Sequence, residues 1–229
     1  MRYNTLLFDL DGTLLDFRLS EKLSLAELFE AHGQPFTAEL HHTYTTINDD
    51  LWERYERREI AMDEVLATRF AKTMLQLGQQ VDGLAWEREY RERLGRNARA
   101  MEGAKEVCEQ LFTTHRLYVV TNGVRHTQLQ RLELTGLLPF FQEVFDSQSV
   151  GVQKPYPEFF SHVAAAIPDF QARCTLLIGD SPTADIRGGH DAGIDTCWFV
   201  QTPPNGPVCV PSTYTISSLY ELPPICLQG

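Results

Sequence analysis

The sequence predicts an α/β domain built on a doubly wound parallel sheet, with an all-helical segment inserted after the first strand. Three observations carry this. Short apolar runs recur without polar alternation, as expected of strands covered by helices on both faces. Helical segments separate the later runs, which is the rhythm of parallel strands joined by crossovers. Between the first run, ending near Asp9, and the second, starting near Leu117, the chain reads as helix after helix.

In chain order, the first run is "TLLFD", Thr5–Asp9, read as a buried strand. The insertion follows. Ser20 is read as preceding a first helix that Gly33 and Pro35 end. Leu40, Tyr44, Ile47, Leu51 and Tyr55 fall on one face of a second helix. A third helix runs from about Met62 to Leu77 and stops at Gly78, and Trp86, Tyr90 and Leu94 mark a fourth. The core resumes with a helix over 103–113, the strand "LYVVTNG" at 117–123, and a helix over 127–134. A weaker strand, "EVFDS", lies at 143–147, followed by a helix over 158–166. The strand "CTLLIGD" at 174–180, a helix over 183–192 and the strand "TCWFV" at 196–200 complete the pattern. The Pro-rich tail is expected to wrap the core. The domains are therefore 1–15 with 97–229 as the α/β core, and 16–96 as a helical cap. In open α/β sheets ligands sit beyond the C-terminal strand ends, so a cap inserted there is placed to cover a site.

Composition narrows the function classes. A chain of 229 residues buries roughly 70% of its unfolded surface and needs no disulfide or metal staple to fold. Apolar runs stop well short of a membrane span, and the N-terminus lacks the pattern of a signal peptide. Cys108, Cys174, Cys197, Cys209 and Cys226 form no Cys-x-x-Cys pair and fit no zinc spacing. They read as reduced thiols, which places the chain in the cytoplasm. A formal net charge of −11 argues against a nucleic-acid polymer as partner, but leaves room for a small anion.

The chemistry is concentrated at the expected strand ends. Asp9 and Asp11 are two residues apart, so their side chains point the same way at the end of the first strand. Gly12 then allows a sharp turn or a close approach to a ligand. Two carboxylates at one strand end repel each other, and a hard divalent cation offsets this with oxygen ligation. Thr121, Asn122 and Gly123 end the second long strand and offer a hydroxyl and amide donors. Asp180 ends a later strand, and Asp185 opens the helix after it. Lys154 stands before Pro155 in a rigid loop. Taken singly, these are turn residues, helix caps or a surface lysine. Taken together, they supply carboxylates for a cation and Lys, Thr and N–H groups for an anion. A phosphate with Mg²⁺ satisfies both halves.

The pieces "DLDGT", "TNG", "KP" and "GDSPTAD", in this order, resemble the four motifs of the haloacid dehalogenase (HAD) superfamily of phosphohydrolases. The resemblance covers the core, and the insertion is similar to the family's four-helix cap. It implies a Rossmann-like core and a mechanism. Asp9 would attack phosphorus to form an aspartyl-phosphate, and Asp11 would protonate the leaving oxygen and then deprotonate water. Mg²⁺ would be held by the Asp9 carboxylate, the Asp11 main-chain carbonyl and Asp180, with Asp185 acting nearby. Thr121 and Lys154 would hold the phosphoryl oxygens, helped by Asn122 and Gly123. Tyr156 departs from the family, which often has Asp in that "KPxP" context.

Within the superfamily, "DGTLLDF", "TNG" and "SVGVQKPYPEFF" are most similar to the pyrimidine 5′-nucleotidases that clear non-standard nucleotides. The expected substrate is a nucleoside monophosphate; phosphoglycolate or a sugar phosphate is the alternative within the class. A non-catalytic phosphate-binding module is the alternative outside it, and such a module should have lost at least one of Asp9, Asp11, Lys154 or Asp180. The dehalogenase branch needs neither Asp11 nor Asp180. Cap aromatics Phe17, Tyr44, Trp52 and Tyr55 are candidate base contacts, with Phe17 foremost because it follows the first motif closely. A monomer or homodimer is expected.

Overall fold

The computed structural model describes residues 2–201 and 211–227. The elements in order are β1 (Thr5–Phe8), α1 (Phe17–Ala31), α2 (Ala38–Glu56), α3 (Met62–Gln76), α4 (Gly83–Arg96) and α5 (Ala104–Leu111). Then come β2 (Arg116–Thr121), α6 (Arg125–Leu134), β3 (Glu143–Asp146), α7 (Ser147–Val150) and α8 (Pro157–Ala166). The chain continues with β4 (Thr175–Gly179), a π-helical turn (Pro182–Arg187), α9 (Gly188–Asp191), β5 (Asp195–Phe199), β6 (Tyr214–Ile216) and α10 (Leu222–Leu227). Two compact units result: Met1–Phe17 with Ala98–Gly229, and Arg18–Asn97.

The first unit holds a six-stranded sheet in the order β3-β2-β1-β4-β5-β6, parallel throughout. The order reverses beside β1, which pairs with β2 on one side and β4 on the other. Doubly wound sheets open a crevice at such a point. Successive residues of β1 enter opposite layers: Leu6 and Phe8 join one apolar cluster, Leu7 the other. Both faces are covered, which is why the strands show no polar alternation. The first layer is closed by Val107, Cys108 and Leu111 of α5 and by Leu219, Leu222 and Cys226 near the end. The second is closed by Phe159, Phe160 and Val163 of α8. Gly188 and Gly189 permit close packing here, since a Cβ at Gly188 would lie 2.7 Å from Phe160 and one at Gly189 2.6 Å from Thr196.

The second unit is four helices. Phe29, Tyr44, Phe70, Trp86 and Tyr90 form a connected aromatic cluster between them. Thr37 caps α2 through Leu40 N–H and Asp82 caps α4 through Ala85 N–H. Arg69 and Glu87 are buried in the middle of this unit. The guanidinium gives two hydrogen bonds of 2.7 Å to the carboxylate and one of 3.0 Å to Asn48 Oδ1. Tyr44 and Tyr55 are buried, so they pack within the cap rather than standing ready for a base.

The structure corrects two local readings. Ser20 does not precede α1 but lies inside it, where its carbonyl accepts from Ser24 Oγ at 2.6 Å. The helix starts earlier because the chain just before it is pinned: Asp16 N–H donates to Arg99 O, and Leu15 bridges Ala100. The tail also does more than wrap the core, since it supplies the edge strand β6, paired with β5. Three residues next to a Pro-rich stretch give little strand signal. Cys108, Cys197 and Cys226 are buried free thiols, Cys174 is partly buried, and Cys209 lies outside the described residues. Burial pushes the Cys108 and Cys226 thiols up to about 12, which keeps them protonated. Among the described residues, no helix is long and apolar enough to cross a membrane.

The Arg69–Glu87 pair gives a test of the cap's interior. Glu87→Ala leaves a buried guanidinium without its counter-charge and is expected to cost about 3–5 kcal/mol in denaturant unfolding. Arg91→Ala removes a half-exposed partner of the same carboxylate and is expected to cost about 0–1 kcal/mol. Equal losses would contradict the buried pair's dominance.

Candidate active site

Asp9 follows β1 directly, and its N–H continues the ladder to Ile178 O at 2.8 Å. The carboxylate is thereby fixed between the ends of β1 and β4, at the reversal of strand order. The chain then folds tightly over Leu10, whose carbonyl accepts from Leu14 and Leu15 N–H at 3.0 and 2.8 Å. Gly12 sits at φ +86°, and a Cβ there would lie 2.3 Å from Asp180 Oδ2. Both the left-handed turn and the approach of a carboxylate demand glycine.

Lys154 is the centre of the cluster. Its buried ammonium donates to Asp9 Oδ1 at 2.7 Å, Asp185 Oδ1 at 2.7 Å and Val120 O at 2.9 Å. These three bonds use all three of its protons, so the ammonium expected to hold phosphoryl oxygens is instead taken up by the carboxylates and a strand carbonyl. The Asn122 side chain holds the lysine backbone from both sides: its Oδ1 accepts from Lys154 N–H at 2.9 Å and its Nδ2 donates to Lys154 O at 3.0 Å. Both polar ends of Asn122 are thus occupied by the loop that presents the lysine.

Asp185 arrives by a local irregularity. The N–H groups of Asp185 and Ile186 both point to Ser181 O, which widens the first turn after β4 into a π-helical one. Ser181 Oγ caps this turn by accepting from Ala184 N–H, and Asp185 Oδ2 accepts from Ser181 N–H at 3.1 Å. A Cβ at Gly179 would lie 2.3 Å from the Asp185 carboxyl, so glycine at the end of β4 is what admits it. Asp180 is anchored through its carbonyl, which accepts from the Trp198 indole at 2.9 Å.

Oxygens of Asp9, Asp180 and Asp185 lie within 4.8 Å of one another. Burial raises Asp9 well above the usual carboxylate range; Lys154 opposes the rise, and Asp185 and Asp180 add to it. Burial and the neighbouring Asp185 push Asp180 up to about 7. For Lys154, burial alone would lower the ammonium, but Asp185 and Asp9 outweigh it and the net shift is upward. Three carboxylates and one ammonium leave two formal negative charges, the complement of a divalent cation. Asp9 Oδ2 is buried and, among the described residues, has no hydrogen-bond partner. An all-oxygen donor set from three clustered carboxylates fits a hard cation.

Thr121 ends β2. Its Oγ accepts from Gly123 N–H at 3.0 Å and Gln128 Nε2 at 3.1 Å, which leaves its own proton to donate. Asp11 stands apart from the three clustered carboxylates. Its Oδ2 accepts from Gln128 Nε2 at 2.6 Å, and its Oδ1 accepts from Arg131 Nη1. Phe17 lies with its ring 5.6 Å from the Arg131 guanidinium. Of the residues singled out in the sequence, Asp9, Asp180, Asp185 and Lys154 therefore come together in one cluster. Thr121 and Asp11 are joined to each other through Gln128, and Asn122 supports Lys154 from behind. Sequence reasoning missed Gln128 and Arg131. The available signal was a Gln and an Arg three residues apart on the helix that follows "TNG", one turn on the same face.

Residues 3–193 match the haloacid dehalogenase-like hydrolase family. The chain is 46% identical to the HAD-hydrolase YfnB of Bacillus subtilis, over 96% of this chain and 94% of that one. It is 38% identical to the pyrimidine 5′-nucleotidase PynA of Streptococcus pneumoniae, over 87% and 84% of the two chains. It is similar in structure to magnesium-bound YfnB, with a TM-score of 0.92 and 44% identity over 99% of both chains. With motif residues gathered at the C-terminal side of a parallel sheet and a family match over residues 3–193, the chain belongs to the haloacid dehalogenase-like hydrolases.

Proposed function

We propose that this hydrolase is a Mg²⁺-dependent phosphomonoesterase that works through an aspartyl-phosphate on Asp9 and acts on pyrimidine nucleoside monophosphates. The observation that carries the chemistry is the asymmetry of Asp9: Lys154 pins one oxygen, and the other is buried and bare. A carboxylate so held presents one oriented nucleophilic oxygen. Support for the substrate comes from PynA and from YjjG of Escherichia coli, also named a pyrimidine 5′-nucleotidase, which is 28% identical over 97% of both chains.

In this reading Asp9 Oδ2 donates an electron pair to phosphorus while the bond to the leaving oxygen breaks. Asp11 gives that oxygen its proton. A water then attacks the phosphoryl group, Asp11 takes the water's proton, and phosphate leaves Asp9 as a free carboxylate. The Thr121 hydroxyl donates to a phosphoryl oxygen, and Lys154 compensates charge on Asp9 and Asp185 throughout. The carboxylates of Asp9, Asp180 and Asp185, with the Asp11 main-chain carbonyl, would hold Mg²⁺. The ion's contribution when bound is to neutralise charge on the carboxylates and on the phosphoryl group. Phe17 is assigned to the leaving group.

Asp9→Asn is expected to abolish both turnover and the covalent phospho-enzyme seen by intact-mass measurement. Asp11→Asn retains the nucleophile and is expected to lose about 10²–10⁴-fold on a nucleoside monophosphate, and far less on 4-nitrophenyl phosphate, whose leaving group needs no proton. An Asp11→Asn enzyme as fast as wild type on the nucleotide would refute the shuttle.

The metal assignment has a readout apart from turnover. In the metal-free protein Asp180 is pushed up to about 7. A folded-state value above the unfolded one favours the protonated folded form. That contribution is complete below the ordinary carboxylate range and is lost as pH rises through about 7. A cation requires the ionised carboxylates, so the rise in Tm on adding Mg²⁺ should be larger at about pH 8 than at about pH 5. Asp180→Asn should remove most of that difference. Equal shifts at both pH values would contradict the assignment.

Phe17→Ala is expected to raise KM for the nucleotide several-fold more than for 4-nitrophenyl phosphate, the mark of lost uniform binding. An equal fall in kcat on both with KM unchanged would assign Phe17 to support of the catalytic loop.

A further inference from the structure

Asp9 and Asp11 leave one strand end two residues apart, yet their carboxylates have separate surroundings. Asp9 lies in the cluster with Asp180 and Asp185, and Asp11 does not. The Asp11 carboxylate meets α6 instead. Gln128 and Arg131, one helical turn apart, each take one oxygen of the Asp11 carboxylate. Arg131 also donates to Gln128 Oε1 at 2.8 Å, so the two donors hold each other in place. Arg131 is 1% exposed, and a guanidinium so buried is sustained by its counter-charge.

The helix that carries them is itself fixed. Arg125, at its first turn, donates to Val144 O at 2.9 Å and Asp146 Oδ2 at 2.7 Å, which ties α6 to β3. Gly123 gives Gln128 its room, since a Cβ there would lie 2.0 Å from Nε2. The same Nε2 reaches Thr121 Oγ, so one amide spans the two residues that flank the reacting phosphate in the proposed mechanism.

The contact from Arg131 to Asp11 is single. Its Nε and Nη2 are buried and, among the described residues, have no hydrogen-bond partner. Arg69, by contrast, forks onto Glu87 with two bonds. One bond from each of two donors instead orients the carboxylate and leaves each oxygen a single hydrogen bond away from release.

We infer that Gln128 and Arg131 are positioning residues that keep the Asp11 carboxylate out of the cation cluster and turned to serve the leaving group. The inference rests on the phosphatase reading above. Its test uses the Mg²⁺-loaded enzyme with uridine monophosphate and 4-nitrophenyl phosphate. Arg131→Met is expected to lower kcat on the nucleotide about 10–100-fold, with less than about a three-fold change on the aryl phosphate and a KM within about two-fold. Arg131→Lys keeps the charge without the directed N–H and should show a smaller loss with the same selectivity; it carries the test if the Met variant does not fold. In an Asp11→Asn background, Arg131→Met should cost nothing further, because the two act as one unit. Equal losses on both substrates, or losses that multiply with Asp11→Asn, would overturn the inference while leaving the phosphatase reading intact. A wild-type enzyme inactive on both phosphates would instead overturn that reading, and the clamp's role with it.

Discussion

A buried ammonium between two carboxylates is the contact on which the site depends. Lys154 reaches Asp9 just after β1, Asp185 in the π-helical turn after β4, and the carbonyl of Val120 within β2. A charge so deeply buried is costly unless paired and hydrogen-bonded. Here every proton is used, and the two carboxylates it touches would repel each other without it. The lysine stands on a loop that has no regular structure to stiffen it. Asn122 supplies the stiffness by gripping the lysine's peptide groups on both sides. The strand end at β2 thus sets the position of a side chain that acts at the end of β1.

Around that contact the carboxylates differ by environment rather than by type. Asp9 is pinned on one oxygen, and Asp185 is held on both by Lys154 and Ser181 N–H. Asp11 is held by neutral and cationic donors from a helix on the other side of the turn. The close approaches that permit this fall at Gly12, Gly123 and Gly179, each in contact with a functional side chain that a methyl group would displace.

The core strands and the motif residues were legible in the sequence. In a chain of alternating strands and helices, unalternating apolar runs that end in Asp9, Thr121 and Asp180 mark buried parallel strands with a polar site at their C-terminal ends. Local information ran out in three places. The start of α1 is set by a bridge between Leu15 and Ala100, a contact between distant segments. The aromatic stripes of the cap fit both an interior and a binding wall, and only packing shows that Tyr44 and Tyr55 are interior. Gln128 and Arg131 look like the solvated face of a helix. Their burial follows from Asp11, which lies 117 and 120 positions away in sequence.

The bridge at Leu15 has a wider meaning. Asp16 N–H to Arg99 O, Leu15 to Ala100 and Met101 N–H to Leu14 O make a short two-stranded stem where the chain leaves the core and returns. The ends of the helical segment Arg18–Asn97 are therefore tied together by the unit that carries the sheet. The entropy of closing so long a detour is met by bonds that belong to the sheet-bearing unit, and it grows only slowly with the length of the detour. A lineage can lengthen, shorten or replace the helices beyond that stem at little thermodynamic cost. The stem works as a socket: what it encloses can change while the sheet and its strand ends keep their own bonds.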